Sequence, residues 1–272
     1  MEIDAPAGDE TWIRMAKTPR SSFLDRVVQR RALARWREAA RAAGSLSLAQ
    51  LPLLRSDARA LRREIDAVLH QVEGRMQLPR IGADSVPAPA TSDWTWRPEL
   101  WRGPVSPFGV AGAENRAQLG RELTLFHDCS ESEITLRQIR NRHETDLAPF
   151  ALRMDVFRFG GSFLSFALDL PETALRGLHL NHLVRLDLKL ELERPLEIFC
   201  RLNIKHGPNN EQLVREMPLS QGDSFVEFDL AYTRMNEKRL EKAWVDIIFE
   251  RPAMNQIVLR DMTFARYPRA DI

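Results

Sequence analysis

Residues 184–193 constrain the fold more than any other stretch. Val184, Leu186, Leu188, Leu190 and Leu192 alternate with Arg185, Asp187, Lys189, Glu191 and Glu193. Successive side chains of a strand point to opposite faces, so this pattern makes one dry face and one wet face. On a helix the same leucines would scatter around the whole circumference. Arg194 and Pro195 interrupt the run. It resumes as Leu196, Ile198, Cys200, Leu202 and Ile204 against Glu197, Phe199, Arg201, Asn203 and Lys205. Further strands are expected over residues 213–219, 224–230, 243–250 and 256–266. One-sided strands joined by short turns favour an antiparallel sheet, because parallel strands are usually buried on both faces. In the last run the dry positions pass from Ile257 and Leu259 to Met262 and Phe264. An extra residue near Arg260 and Asp261, a β-bulge, would produce that change of phase.

Upstream, the same alternation places strands over residues 122–127, 133–139, 152–159 and 163–170. Many short strands at near-regular spacing indicate a sandwich or jelly roll. Residues 21–43 and 56–76 read instead as helices. In the second, Leu61, Ile65, Val68, Leu69 and Val72 form an apolar stripe at helical spacing. Between helices and strands, residues 78–107 hold six prolines and the run Trp94, Thr95, Trp96, Arg97, Pro98, Glu99, Leu100, Trp101. The expected organisation is a flexible stretch over 1–20, a helical hairpin over 21–77, a Pro/Trp-rich wrapping segment over 78–121 and a β-sandwich over 122–272. The fold class is therefore mainly β: an antiparallel jelly-roll-like β-sandwich with an N-terminal helical hairpin.

The net charge of +1 hides an asymmetry. Residues 1–80 carry 15 Lys and Arg against 10 Asp and Glu, and residues 81–272 carry 24 against 28. Two cysteines, Cys129 and Cys200, make no disulfide framework, and Cys200 falls on a dry strand face. Acidic Met1–Glu10 does not read as a signal peptide, and no apolar run reaches the ~20 residues of a membrane span. The expectation is a cytoplasmic protein, with association to a surface or particle left open.

From Trp94 onward the chain resembles a family of uncharacterised alphaproteobacterial proteins. The strings that carry the resemblance are Trp94-Thr-Trp-Arg-Pro98, Leu125-Phe-His-Asp-Cys129, Thr135-Leu-Arg-Gln138, Arg153-Met-Asp-Val156, Arg201-Leu-Asn-Ile-Lys-His-Gly-Pro-Asn209, Glu227-Phe-Asp-Leu-Ala-Tyr232 and Arg260-Asp-Met-Thr263. That family has no assigned activity, so the resemblance implies no catalytic residue. More distantly, the strand pattern is similar to the jelly rolls of carbohydrate-binding modules, which implies a non-catalytic glycan-binding role.

Candidate ligand-binding residues fall in two groups. Asn203, His206, Asn209 and Asn210 gather amides and an imidazole around the His206–Gly207–Pro208 turn, and Asn offers both donor and acceptor to a sugar hydroxyl. The same residue types also serve plain turn chemistry. Trp94, Trp96 and Trp101 could stack on a pyranose ring or pin their segment to the sandwich. His127 and Cys129 share a strand face without a supporting motif, and His179 and His182 lack the further ligands that a closed zinc site requires, so both histidines read as surface residues. No catalytic residue, metal site or cofactor is assigned. Nucleotide-binding glycine loops and the GxSxG elbow are absent from the sequence. The basic helix with Arg26, Arg30, Arg31, Arg35, Arg37 and Arg41 reads as a solvated or docking face, with no strong nucleic-acid signal. The functional expectation is a glycan-binding protein. The alternative is an assembly protein, remotely part of a phage-like particle, whose hairpin meets a second copy or a partner through Leu61, Ile65, Val68 and Val72. An enzyme is the weakest reading.

Overall fold

A computed structural model describes residues 23–76, 86–131, 133–219 and 223–269, so the expected flexible stretch over 1–20 lies outside the described residues. The chain divides into two units, Met1–Arg62 and Arg63–Ile272. The first holds α1 (Phe23–Ala42) and the start of α2 (Leu51–Met76). The second helix begins at Leu51 and not at Ser56, because Pro52 falls in its first turn. A missing N–H costs nothing there, and proline's fixed φ suits the helix.

The second unit is a sandwich of two antiparallel sheets. One runs β11 (Asp223–Asp229), β8 (His182–Leu192), β13 (Asn255–Pro268), β6 (Phe150–Val156), β5 (Ile134–Arg140) and β2 (Gly109–Ala111), with β1 (Trp94–Trp96) also on β13. The other runs β10 (Asn209–Glu216), β9 (Ile198–His206), β12 (Leu240–Phe249), β7 (Leu164–Asp169), β4 (Leu123–His127) and β3 (Gln118–Leu119). Apart from the β5–β6 and β9–β10 hairpins, the connections from β4 onward cross between sheets, as in a jelly roll. The alternating dry positions of both sheets meet in one core. Leu186, Leu188, Phe228, Met262 and Phe264 face Leu202, Ile204, Phe166, Ile247 and Phe249, all buried. Cys200 is fully buried, and burial pushes its thiol up to about 12.

Two details of the sheets differ from the sequence reading, and a third matches it. Asn209 and Asn210 are strand residues, paired with His206 and Lys205 around a Gly207–Pro208 turn. The loop is shorter than expected because Gly207 adopts φ +59, which closes the hairpin in two residues. The Pro/Trp-rich segment enters the sheets directly: β1 pairs with β13 and β2 with β5, with the short α3 (Glu99–Arg102) between them. The bulge is where the phase change puts it. Leu190 faces Leu259 while Lys189 faces Asp261, so Arg260 has no counterpart on β8.

Candidate functional site

The groove lies on the outer face of the β10–β9–β12–β7–β4 sheet and encloses about 780 Å³. Its floor follows from strand register. Gln212, Asn203, Trp244 and Asp169 line up across four strands as one row. Arg201, Asp246, Ala167 and Thr124 form the next, and Ile248, Ser165 and Phe126 a third. Period two sends all of these to the face opposite the core.

A hydrogen-bond network fixes the middle of the floor. Asn203 Nδ2 donates to Asp246 Oδ2 at 2.9 Å, and Arg201 Nε donates to the same oxygen at 2.9 Å. Gln212 Nε2 donates to Asn203 Oδ1 at 3.0 Å. Asn203 and Asp246 are buried at the bottom, so their rotamers are set before any ligand arrives. Two exposed ion pairs flank the network: Lys242 Nζ to Asp169 Oδ1 at 2.8 Å, and Lys205 Nζ to Glu241 Oε2 at 2.6 Å. Each cation of the floor thus has a carboxylate beside it, and the surface is polar with little net charge. Trp244, Phe126 and Phe163 add aromatic surface; Trp244 is half-buried and carries Lys242 Nζ 5.8 Å from its ring centroid. The arrangement offers donors, acceptors and flat apolar faces along one channel.

Of the residues expected at a site, Asn203 stands in the groove, in mid-strand on β9. The others lie elsewhere. His206 is buried, and its Nδ1 accepts the Asn236 N–H at 3.2 Å, so it braces the β11–β12 connection and does not present itself to a ligand. Asn209 and Asn210 begin β10 outside the groove lining. Trp101 is fully buried and donates from Nε1 to the Leu259 carbonyl at 2.9 Å, a core anchor and not a stacking platform. Trp94 and Trp96 are half-buried, stack on each other at 6.4 Å and pack against the core beside Phe264. His182, expected at the surface, is buried: its Nδ1 accepts the His179 N–H at 2.9 Å and its Nε2 lies 3.6 Å from Asp93. His127 Nδ1 accepts the Cys129 N–H at 3.2 Å, so that pair serves the backbone. Among the described residues no group of three or more His, Cys, Asp or Glu side chains is placed to hold a metal.

Sequence reasoning missed Trp244, Asp246, Gln212, Arg201, Phe126 and Phe163. A signal was available. On β12 the dry positions are Ala243, Val245, Ile247 and Phe249, which leaves Trp244 and Ile248 on the wet face. On β4, Phe126 is out of place in the same way. Large apolar side chains on the polar phase of neighbouring strands mark a surface built for contact.

The site and its frame define a class: a β-sandwich with an aromatic and amide-lined groove across one sheet. The chain belongs to DUF6478, a family of unknown function, whose model matches residues 15–272 and so takes in the helices upstream of Trp94 as well. No curated protein matches the sequence. Among solved structures, the chain is similar to the enzymatically active domain of bacteriophage CBA120 tailspike protein 4, at 8% identity and TM-score 0.39 over 57% of this chain and 21% of that one. It therefore spans about a fifth of the tailspike chain. It is similar to the CBM22-1 xylan-binding domain of Paenibacillus barcinonensis Xyn10C, at 9% identity and TM-score 0.34 over 60% and 94%. It is also similar to the family 11 carbohydrate-binding module of Clostridium thermocellum in complex with a mixed-linked tetrasaccharide, at 8% identity and TM-score 0.36 over 58% and 96%. Among the described residues no helix is long and apolar enough to cross a membrane.

Proposed function

We propose that the protein binds a glycan chain along the groove, without chemical change to it. The observation that supports this is the preset Gln212–Asn203–Asp246–Arg201 network beside Trp244 and Phe126. A sugar presents hydroxyls that both donate and accept, and C–H faces that pack on aromatic rings. Amide, guanidinium and carboxylate groups answer the first, and the rings answer the second. Held in advance, these groups lose little freedom when a ligand docks. The local pairing of every cation on the floor favours a neutral glycan over a polyanion. The open channel suits an internal stretch of polymer.

A glycan array followed by titration calorimetry tests the proposal. The wild-type chain should bind at least one neutral oligosaccharide. Trp244→Ala should weaken it by a factor of about 10 to 100, in line with ~1–3 kcal/mol for a lost aromatic contact. Gln212→Ala, at an exposed position, should weaken it by less. Absence of binding to every neutral glycan by the folded wild-type chain would overturn the proposal.

A further inference from the structure

The groove makes no use of α2, which carries a second organised surface. With Ile65 taken as heptad position a, the a and d positions from Leu51 to Val72 are Leu51, Leu54, Ala58, Leu61, Ile65, Val68 and Val72, all apolar, and the apolar run ends at the next d position, Arg75. Their spacing alternates three and four, the period of a coiled-coil seam. Leu61, Ile65, Val68 and Val72 are 40–61% exposed, unusual for so regular an apolar stripe. His70 falls at position f, on the far side of the helix from the seam. It contacts the sandwich: its ring stacks on Phe108 at 4.9 Å, and its Nε2 meets Gln138 Oε1 at 2.7 Å. Within the second unit the helix is therefore held by its back, with Ile65, Val68 and Val72 left exposed.

We propose that α2 pairs with α2 of a second copy as a parallel two-stranded coiled coil. Two observations select this occupant. Two of the four a positions, Ile65 and Val72, are β-branched and two of the three apolar d positions, Leu54 and Leu61, are leucine, the side-chain shapes that favour two strands, while Leu51, Ala58 and Val68 depart from them. The flanking charges select the orientation: Arg55 and Arg62 occupy e, and Asp57 and Glu64 occupy g. In a parallel pair each g side chain faces the e side chain five positions further along the other helix, so Asp57 meets Arg62 twice by symmetry. In an antiparallel pair e meets e and g meets g, which sets arginine against arginine and acid against acid.

Sedimentation velocity on the full chain, over about a hundredfold range of concentration, tests this. The wild-type chain should shift to twice the monomer mass. Ile65→Asp with Val68→Asp should stay monomeric at every concentration. Both positions are exposed, so the aromatic circular dichroism of the sandwich should be unchanged, which separates lost pairing from lost folding. Asp57→Lys should weaken the dimer about fivefold, and adding Arg62→Glu should restore it. A wild-type chain that remains monomeric throughout, with its seam covered by its own residues, overturns the proposal. So does a dimer that survives the double aspartate change. A dimer tightened by Asp57→Lys overturns the parallel arrangement. Glycan binding by the monomeric variant is read separately, so failure here and failure of the groove are told apart.

Discussion

His182 ties the Trp94–Trp96 strand to proton concentration. Burial holds its imidazole below the ordinary 6.5, against the opposing pull of Asp93. Asp93 behaves in the other sense: burial pushes it up, but the Arg266 hydrogen bonds and charge, with His182, bring it below 3.8. Arg266 Nε donates to Asp93 Oδ1 at 2.8 Å, so this pair clasps the start of β1 to β13. The two groups act in different windows. A histidine whose folded pKa is depressed contributes in full above its unfolded value, near pH 6.5, and loses that contribution as pH falls further. The lowered aspartate keeps its contribution down to about pH 3.8 and loses it only below that. Between about pH 7.5 and pH 5.5 the decline from this cluster therefore belongs to His182. The urea midpoint of the wild-type chain should drop across that interval, and His182→Gln should show a smaller drop. Equal drops in the two proteins would remove His182 as the cause.

Among elements, β13 carries the most. It pairs with β8 along one edge throughout, and along the other with β6 through Leu259 and then with β1 from Phe264. The bulge at Arg260 sits where the partner changes. A cluster of side chains holds it there. Asn141 Nδ2 donates to the Arg260 carbonyl at 2.7 Å, Arg97 binds Asp261 through two hydrogen bonds, and the Arg260 guanidinium meets Asp146 and Glu191. Arg260 and Asp146 are both buried, so removing Arg260 leaves Asp146 desolvated with the longer contact to Lys189 Nζ, at 3.7 Å, in its place. Arg260→Ala should cost about 3–5 kcal/mol by chemical denaturation, and adding Asp146→Leu should recover part of that loss. A cost under about 1 kcal/mol would show that the pair is better solvated than its burial implies. This bulge was legible in the sequence because a phase slip changes which residues are apolar, and burial selects for that. So were the ten longer strands. The short β1, β2 and β3 were not, because two or three residues are too few to show a period. The groove was legible only in part. Asn203 reads in the sequence as a wet strand position just before a turn, while its partner Asp246 is 43 residues away and is brought beside it by register alone. Trp101 and Trp244 are the same residue type with opposite fates. Only the phase of Trp244 against its strand neighbours distinguished the outer face from the core.

At the scale of the whole molecule, the groove and the α2 seam make a joint prediction. Glycan polymers repeat their recognition unit many times along one chain. A monomer with one open groove gains little from that repetition beyond a statistical factor. A dimer carries two grooves, and once the first is occupied the second binds from an effective concentration set by geometry and not by bulk supply. The wild-type chain should then bind an immobilised polysaccharide about 100 times more tightly than the Ile65→Asp/Val68→Asp monomer, with the excess in the off-rate. Both proteins should bind a short soluble oligosaccharide equally, since that ligand fills only one groove. Surface plasmon resonance on the two ligand forms separates the cases. Equal off-rates from the polymer would mean that the two grooves of a dimer cannot reach one chain together, whatever the strength of the seam. Weaker binding of the short oligosaccharide by the monomeric variant would mean instead that α2 contributes to the groove itself.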